Sequence, residues 1–570
     1  MTAPLFTFGI ITDTHVRVPG GDLSSPFPVN EKANARARYA AALLAAHRPA
    51  LSIHLGDVVH PLPHMSAFGP AAAEAKAILA PLGSDLRHVP GNHDIGDKPS
   101  PGMPAKSSTA EGLAQYRETF GPPWQSWQHQ GIRFVAMTAS LVNSGLAAES
   151  DQRAWLEETL RAAEGERVFL FTHYPPFIAA PDEADHYDNY AEPGRHWLLD
   201  LVADTGVEAV FSGHVHHFFM NRYRGVRLYC LLPTSFTRQD YAEMFPVAPA
   251  PEYGRDDAGK YAVTLVDVMA EGHRLRVVPT DGLGMEPGDP SPEPTPEPAP
   301  LPLIPHLRHA WFEARRLPYK GPMEEFSRKL ARNDYPLLRL LQLGITTVRI
   351  PLSDLEDPEA RSRIEDWAAC GQRFVFFRIG LPKEVDVEAL RGIGDAAAAL
   401  EVLATRADLA DLGPGLPKAI ADLPVPFWLS KVTTSADGGP LDAPYSHAVS
   451  AGFLTAQADL IFASLPGGPP PGLVFQLPWG TDPAVTIPDL TARCLASGTR
   501  LVANVRLSPA NPAAANFDDR AIAAHLRKAI DAAEAAGSVT LQCDTFEDVD
   551  RGYAPRNGLI DRRGNVRLRP

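Results

Sequence analysis

Cysteine is scarce in this 570-residue chain: Cys230, Cys370, Cys494 and Cys543 lie far apart and form no C-x-x-C pair. That spacing argues against a dithiol or zinc-thiolate site and reads as free thiols in a reducing compartment. Long apolar runs are missing too. No stretch of eighteen apolar residues occurs, so no helical membrane span is expected. The N-terminus carries no basic leader and no signal-length apolar segment, which predicts a cytoplasmic chain. Positive charge is in deficit: 53 Lys and Arg stand against 68 Asp and Glu, a net charge of −15. This excludes an extended nucleic-acid surface but not a small phosphorylated substrate.

What is present is enough apolar residue, 45%, for more than one packed core. Residues 285–305 read MEPGDPSPEPTPEPAPLPLIP. Alternating prolines forbid helix and sheet and favour an extended spacer. The chain is therefore predicted to divide into residues 1–284, a linker at 285–305, and a second domain at 306–570.

Five short motifs follow strand-like apolar runs in the first part. They are Asp13-Thr14-His15, Gly56-Asp57, Gly91-Asn92-His93-Asp94, a lone His173, and Gly213-His214-Val215-His216. The runs are Phe6 to Thr12, Leu51 to Leu55, Leu86 to Pro90, Val168 to Phe171 and Ala209 to Ser212. Loops leaving strand ends are where α/β proteins gather ligands. The donors are Asp, His and Asn without thiolate, a set that suits Mn, Fe, Zn or similar divalent ions. Two ions need a shared carboxylate, and Asp57 is the expected bridge, because the preceding glycine lets the backbone turn into the site. Such a pair of ions lowers the pKa of a bridging water and neutralises phosphoryl oxygens.

The pattern D-x-H, G-D, G-N-H-D, H, G-H-x-H resembles the calcineurin-like metallophosphoesterase superfamily over roughly residues 5 to 275. The G-N-H-D form looks most like its class III cyclic-nucleotide phosphodiesterase and glycerophosphodiesterase branch. The resemblance implies an αββα sandwich. It also implies one metal held by Asp13, His15, Asp57 and His216 and a second by Asp57, Asn92, His173 and His214. His93 would be catalytic without ligating, stabilising charge or protonating the leaving oxygen. Asp94 reads as support for the ligands, and His54, His60, His64 and His217 as structural or loop residues. The sequence itself supports helices at Glu31 to Ala46 and Asp151 to Ala163, and a late hairpin at Tyr261 to Met269 and His273 to Val278.

In the second part, strand candidates are Ala310 to Ala314, Thr346 to Pro351, Arg373 to Ile379, Pro426 to Val432, Leu473 to Leu477, Arg500 to Arg506 and Ser538 to Cys543. Helix candidates include Glu359 to Cys370, Val387 to Ala404, Ala448 to Ala463, Ile487 to Ala496 and Asp518 to Ala536. Seven strands alternating with helices suit a (β/α)8 barrel with one strand missed. The segment from Gly558 to Asn565 resembles the last loop of glycoside-hydrolase-type barrels. Glu313, Asp354, Asp544 and Asp550 stand near strand ends, but Lys431, Gln476, Trp479 and Arg506 occupy the middle ones. No paired carboxylates are visible, so a barrel that binds or scaffolds is expected instead of a second catalyst. Trp479 and Tyr553 are candidates for stacking on a sugar.

The expected activity is hydrolysis of a small phosphodiester by metal-bound hydroxide. A phosphomonoesterase, or a carbohydrate-directed protein whose barrel sets the substrate, is the alternative. Nucleotide, glycerophosphodiester and glycan-linked phosphates all fit, and oligomerisation is open. Substrate contacts are expected from His186, Tyr187, Asn189, Arg238 and Tyr241, with Tyr190, Gln239 and Asp240 in the same loops. Because every proposed ligand precedes residue 217, a chain ending near residue 284 is expected to stay active.

Overall fold

The computed structural model describes residues 3–20, 28–99, 106–238, 241, 244, 258–297, 299–307, 311–318, 328–405, 408–409, 418–433, 450–463, 470–509, 518–543, 545–551 and 554–568. The chain divides into two compact units: Met1–Glu297 with Ala314–Leu338, and Pro298–Glu313 with Arg339–Pro570.

The first unit is an αββα sandwich. Its strands are β1 (Phe6–Ile11), β2 (Ser52–His54), β3 (Arg87–His88), β4 (Gln125–His129), β5 (Ile132–Ala136), β6 (Arg167–Phe171), β7 (Ala209–Ser212), β8 (Phe219–Tyr223), β9 (Val226–Cys230), β10 (Ala262–Val268) and β11 (His273–Pro279). One sheet runs β11-β10-β1-β2-β3 and the other β4-β5-β6-β7-β9-β8. The strands that carry the motifs are short and each has a parallel neighbour, β1 with β2, β2 with β3, and β6 with β7. Buried along almost their whole length, β6 and β7 read as near-continuous apolar runs and not as alternating patterns.

Phe8 of β1 ties the sheets together. Its ring centroid lies 5.3 Å from Phe134, 5.5 Å from Phe169 and 6.0 Å from Phe171 and Phe211. Burying each such ring contributes about 1.5–3 kcal/mol. The helices are α1 (Ala33–Ala46), α2 (Phe68–Leu79), α3 (Asn92–Ile95), α4 (Ala110–Phe120), α5 (Ala147–Ala162) and α6 (Gly194–Asp204). Leu43, Leu44, Ala75 and Ile78 of α1 and α2 pack with Ile11 and Val263 on the first sheet. Leu156, Leu160, Leu198 and Val202 of α5 and α6 pack with Leu170 and Val210 on the second. The helices and late hairpin expected from sequence form within a few residues of their expected bounds.

One part of this unit comes from beyond the proline-rich segment. After β12 (Leu303–Pro305), a strand of the second unit, the chain gives the first unit an antiparallel hairpin, β13 (Ala314–Pro318) and β14 (Arg328–Arg332). Leu317 and Ala331 join a buried cluster with Ile178, Val215, Phe219, Cys230, Tyr241 and Met244. Arg332 Nη2 donates to Asn221 Oδ1 at 2.7 Å, and Met220 N donates to Asp334 Oδ2 at 2.9 Å. A chain ending at residue 284 therefore lacks part of this unit's core. The expectation that it suffices overlooked a hairpin that no sequence motif marks.

The second unit is a near-closed parallel barrel. Its strands are β12, β15 (Thr347–Pro351), β16 (Arg373–Ile379), β17 (Ala397–Ala404), β18 (Phe427–Thr433), β21 (Gly472–Leu477), β22 (Arg500–Val505) and β23 (Val539–Cys543), with β19 (Ser450–Ala451) and β20 (Phe453–Leu454) paired alongside. The order β12-β23-β22-β21-β18-β17-β16-β15 returns on itself through a bridge between His306 and Arg349. Helices Pro358–Ala369 and Asp519–Ala536 start on Asp357 and Asp518, whose carboxylates accept from the first free N–H groups.

Three expectations change here. The first barrel strand is Leu303–Pro305 and not 310–314, so it lies inside the stretch read as linker. Pro302 and Pro305 disguised it. Val387 to Ala404 is not one helix: Glu384–Ile393 ends at Gly394, and the Ala-rich stretch that follows is β17. Burial at Ala397, Ala399, Leu400, Val402 and Leu403 overrides alanine's helix preference. Likewise Ala448 to Ala463 holds β19, β20 and only a short helix, Ala458–Ala463.

At the strand ends, burial lifts Asp354 to about 6, although its carboxylate accepts from Trp311 Nε1 at 3.0 Å. Glu313 is exposed, and Trp479 packs against His525 with centroids 4.8 Å apart. Asp550 lies in the strand Val549–Arg551. Asp544 and Tyr553 lie outside the described residues.

Candidate metal centre

The five motif loops converge at one edge of the sandwich. Asp13, His15, Asp57 and His216 offer ligand atoms that lie within 4.8 Å of one another, and so do Asp57, His173 and His214. Asp57 belongs to both groups. Its Oδ2 lies 3.5 Å from His15 Nε2 and its Oδ1 3.3 Å from His173 Nε2. His216 Nε2 is 3.3 Å from Asp13 Oδ1. Asn92 Oδ1 sits 3.2 Å from His173 Nε2 and 3.0 Å from His214 Nδ1.

The backbone bends hard to achieve this. Asp13, His15, Asp57, His214 and His216 all have positive φ, between 44° and 68°. Such conformations are uncommon for residues with a Cβ and gather at functional sites. Close approach fixes the glycines nearby. A Cβ on Gly91 would fall 2.1 Å from Asp57 N and 2.3 Å from its Oδ1, and one on Gly213 would fall 2.2 Å from Thr12 Oγ1.

Backbone carbonyls aim the imidazoles. His173 Nδ1 is 2.7 Å from Leu55 O, His216 Nδ1 is 2.5 Å from Phe236 O, and His214 Nε2 is 3.2 Å from Tyr187 O. Each ring donates one nitrogen outward and leaves the other for the centre, the arrangement metal-binding histidines use. Asp94 does not join the clusters. Its carboxylate accepts from Val58 N at 3.0 Å and Gly91 N at 2.9 Å, which locks the Asp57 loop against the Asn92 loop.

The electrostatics call for cations. Asp13 and Asp57 are almost fully buried, and among the described residues their ion-pair partners are histidines, not Lys or Arg. Burial holds His15 and His214 well below the usual imidazole range, so they are neutral and able to ligate. Burial also opposes charge on His173, yet the Asp57 and Asp13 carboxylates pull it up to about 9. A buried proton is drawn there because positive charge is otherwise short. The oxygen-and-imidazole donor set thus fits two divalent ions.

His93 lies at the rim, partly exposed. Its ring centroid is 4.7 Å from that of His15, its backbone N–H donates to Asp57 Oδ1 at 2.8 Å, and its Nδ1 is 2.5 Å from His60 O. His60, read from sequence as a loop residue, comes into this corner with Nδ1 3.3 Å from His15 Nδ1. His64 lines a neighbouring cleft of about 150 Å³ with Ile95 and Gln115. His54 accepts from Gly56 N at 3.2 Å and His217 stacks on Tyr241, both away from the centre.

The residues expected to touch substrate separate into two groups. Tyr187 packs on His214 with centroids 4.7 Å apart, and Asn92 Nδ2 donates to its hydroxyl at 3.5 Å. Arg238 and Tyr241 both bond Asp188. His186 and Asn189 instead brace their own loop: Asn189 Nδ2 donates to Glu183 Oε1 at 2.9 Å, and His186 Nε2 lies 3.2 Å from the same oxygen. Lys98 clamps that loop by donating to the carbonyls of His186 and Asn189. Tyr190 hydrogen-bonds Thr172, and Gln239 and Asp240 lie outside the described residues.

Asp188 was missed by the sequence reading. It is fully buried, 4.0 Å from His214 Nε2, and receives Arg238, Tyr241 and, from the hairpin, Lys329 Nζ at 2.7 Å. Burial opposes its charge, but the two cations hold its carboxyl well below the usual range.

Residues 6–218 match the sequence model of the calcineurin-like phosphoesterase family. The first unit thus contains a calcineurin-like metallophosphoesterase domain. The chain is 29% identical over 188 residues to the serine/threonine-protein phosphatase CPPED1 of Bos taurus, covering 31% of this chain and 57% of that protein. The human protein of the same name is 29% identical over 178 residues, covering 30% and 54%. The chain thus spans only about half the length of these curated relatives. A probable cyclic nucleotide phosphodiesterase of Rhodococcus erythropolis is 24% identical over 288 residues, covering 49% of this chain and 85% of that one.

Proposed function

We propose that the first unit is a binuclear-metal-dependent phosphoester hydrolase and that its preferred substrate is a phosphomonoester. The observation that carries the reading is the pair of ligand clusters sharing Asp57. In this reading Asp13, His15, Asp57 and His216 hold one divalent ion, and Asp57, Asn92, His173 and His214 hold the other. The bound ions supply charge neutralisation for the phosphoryl oxygens and water of lowered pKa. The protein's own side chains do the rest. The His93 N–H steadies the Asp57 carboxylate, and the His93 imidazole stands at the rim to hold charge or return a proton to the leaving oxygen. Tyr187 closes the side of His214 and keeps bulk water from that flank.

The G-N-H-D motif alone favours a diester. The phosphatase relatives, with their higher identity, move the preference to a monoester. A diester remains the second reading because the Rhodococcus relative is matched over more of its length. Metal-loaded protein assayed on aryl phosphate and bis-aryl phosphate separates them. Faster turnover of the diester would reject the monoester reading, and hydrolysis of neither would reject both.

Cytoplasmic location belongs to the same proposal, supported by four free cysteines. Among the described residues no helix is long and apolar enough to cross a membrane.

A further inference from the structure

The barrel interior carries polar groups that its own chain does not satisfy. In the order of the eight strands, β17 and β23 stand opposite each other, with three strands between them by either route. Yet Gln542 Nε2 of β23 donates to Glu401 Oε2 of β17 at 3.1 Å. A bond between opposite strands can only cross the lumen. Arg349 of β15 donates to the same oxygen from Nε at 2.6 Å, and its Nη1 lies 3.1 Å from His306 Nδ1 just beyond β12. Three strands and the residue that follows a fourth thus send side chains to one point inside the barrel.

Side chains alternate along a strand, so register identifies the other inward positions. Asn504 pairs with Gln542, Gln476 with Asn504, Phe377 with Glu401, and Ser430 lies two residues beyond Trp428, the partner of Glu401. The inward set is therefore His306, Arg349, Phe377, Glu401, Ser430, Gln476, Asn504 and Gln542. Seven of the eight are polar. Two residues earlier the same faces carry Ile304, Thr347, Val375, Ala399, Trp428, Val474, Val502 and Thr540, a floor that is mostly apolar. Barrel interiors are ordinarily filled by layers of branched apolar residues. This one changes to polar in the half nearer the strands' C-terminal ends.

Five of these side chains, all at least nine-tenths buried, keep an atom with no partner among the described residues: Arg349 Nη2, Glu401 Oε1, Ser430 Oγ, Asn504 Oδ1 and Gln542 Oε1. Buried polar atoms are nearly always paired, so five on one inward face call for an explanation. They comprise three acceptors, one guanidinium donor and one hydroxyl. An anion would face the three acceptors, and a cation would face Arg349. A neutral ligand rich in hydroxyl groups meets both kinds, because each hydroxyl donates and accepts. Half-buried Phe377, over whose ring the Arg349 guanidinium lies at 4.0 Å, adds an apolar wall of the kind that suits the C–H face of a sugar ring. We infer that the barrel holds a saccharide-binding site centred on Glu401, Arg349, Asn504 and Gln542. The unpaired atoms have essentially no exposed surface.

The test uses the full chain with D-glucose, D-mannose, N-acetyl-D-glucosamine and their disaccharides as probes, followed by calorimetry and ligand-observed NMR. At least one saccharide should bind. Asn504→Ala and Gln542→Ala should each weaken it about tenfold or more while leaving phosphoester turnover unchanged. Glu401→Gln is less useful alone, because it strands the Arg349 charge. Unfolding midpoints supply a second readout. Asn504→Ala removes an unpaired acceptor, so it should leave stability unchanged or higher. If no saccharide binds, or if binding ignores both substitutions, the inference is overturned. It is equally overturned if Asn504→Ala destabilises the protein without affecting any sugar, since the layer would then be a water-bridged structural feature.

Discussion

Lys329 Nζ lies 2.7 Å from Asp188 Oδ2, with both side chains buried. The lysine comes from a hairpin that follows the proline-rich segment, and the aspartate stands 4.0 Å from His214. The ammonium also sits over the Tyr241 ring, 4.2 Å from its centroid. A residue far along the chain thus helps to shape the wall of the metal centre.

Lys329→Met should lower the stability of the first unit by about 1–3 kcal/mol, because Asp188 keeps Arg238 and Tyr241 but loses a charged donor. Urea unfolding followed by tryptophan fluorescence measures it. An unchanged midpoint would show that the pair adds nothing.

Truncation separates the two views of the first unit. A chain of residues 1–284 loses Leu317, Lys329 and Ala331 and bares Val215, Phe219 and Tyr241. It should be aggregation-prone and reduced at least about tenfold in kcat/KM, whereas residues 1–342 should retain activity. Equal activity in both would make the hairpin dispensable.

Metal analysis should find near two divalent ions per chain, one for each cluster that contains Asp57. Asp57→Ala removes the shared carboxylate and should abolish nearly all activity together with the paired ions. An active variant, or wild-type activity in excess chelator, would sink the binuclear reading.

His93→Ala should keep both ions and lose roughly 10²–10⁴-fold in turnover. The loss should shrink for aryl esters with good leaving groups if the imidazole delivers a proton, and stay constant if it only stabilises charge. Loss of metal would make it a ligand.

Glu208 is one source of acid sensitivity. Burial raises the Glu208 carboxyl, but His273 and the two-oxygen grip of Arg167 outweigh that and bring it from 4.5 to about 2. The folded pKa is the lower one, so the stabilisation is complete above pH 4.5 and fades as pH falls toward 2, amounting to at most about 3 kcal/mol. Glu208→Gln should unfold more easily at pH 7, and its gap to wild type should close through that window. A gap independent of pH would assign the acid sensitivity elsewhere.

Motif order made the metal-site loops legible because each loop follows a short strand and needs a specific donor. Asp188 and Lys329 were not legible: each is an ordinary charged residue in a polar segment, and only the tertiary fold joins them. The barrel was legible as an alternation of elements, but Ala397–Ala404 hid behind alanine's helix preference and Leu303–Pro305 behind prolines. The polar interior left a trace that could have been followed. Arg349, Glu401, Gln476, Asn504 and Gln542 are each a polar residue with an apolar neighbour on either side in the chain.

The interleaving of the two units also governs the order in which the protein can be finished during synthesis. The hairpin Ala314–Arg332 must leave the ribosome before the first unit's buried cluster can close. Strand Leu303–Pro305, made earlier, must wait for its partner Leu541–Cys543 near the end of the chain. Pairings so distant in sequence form slowly and leave apolar edges bare in the interval. Nascent chains stalled after the hairpin has emerged but before residue 539 is made should therefore carry a completed first unit and an open barrel, which makes slow translation late in the message more harmful to the second unit than to the first.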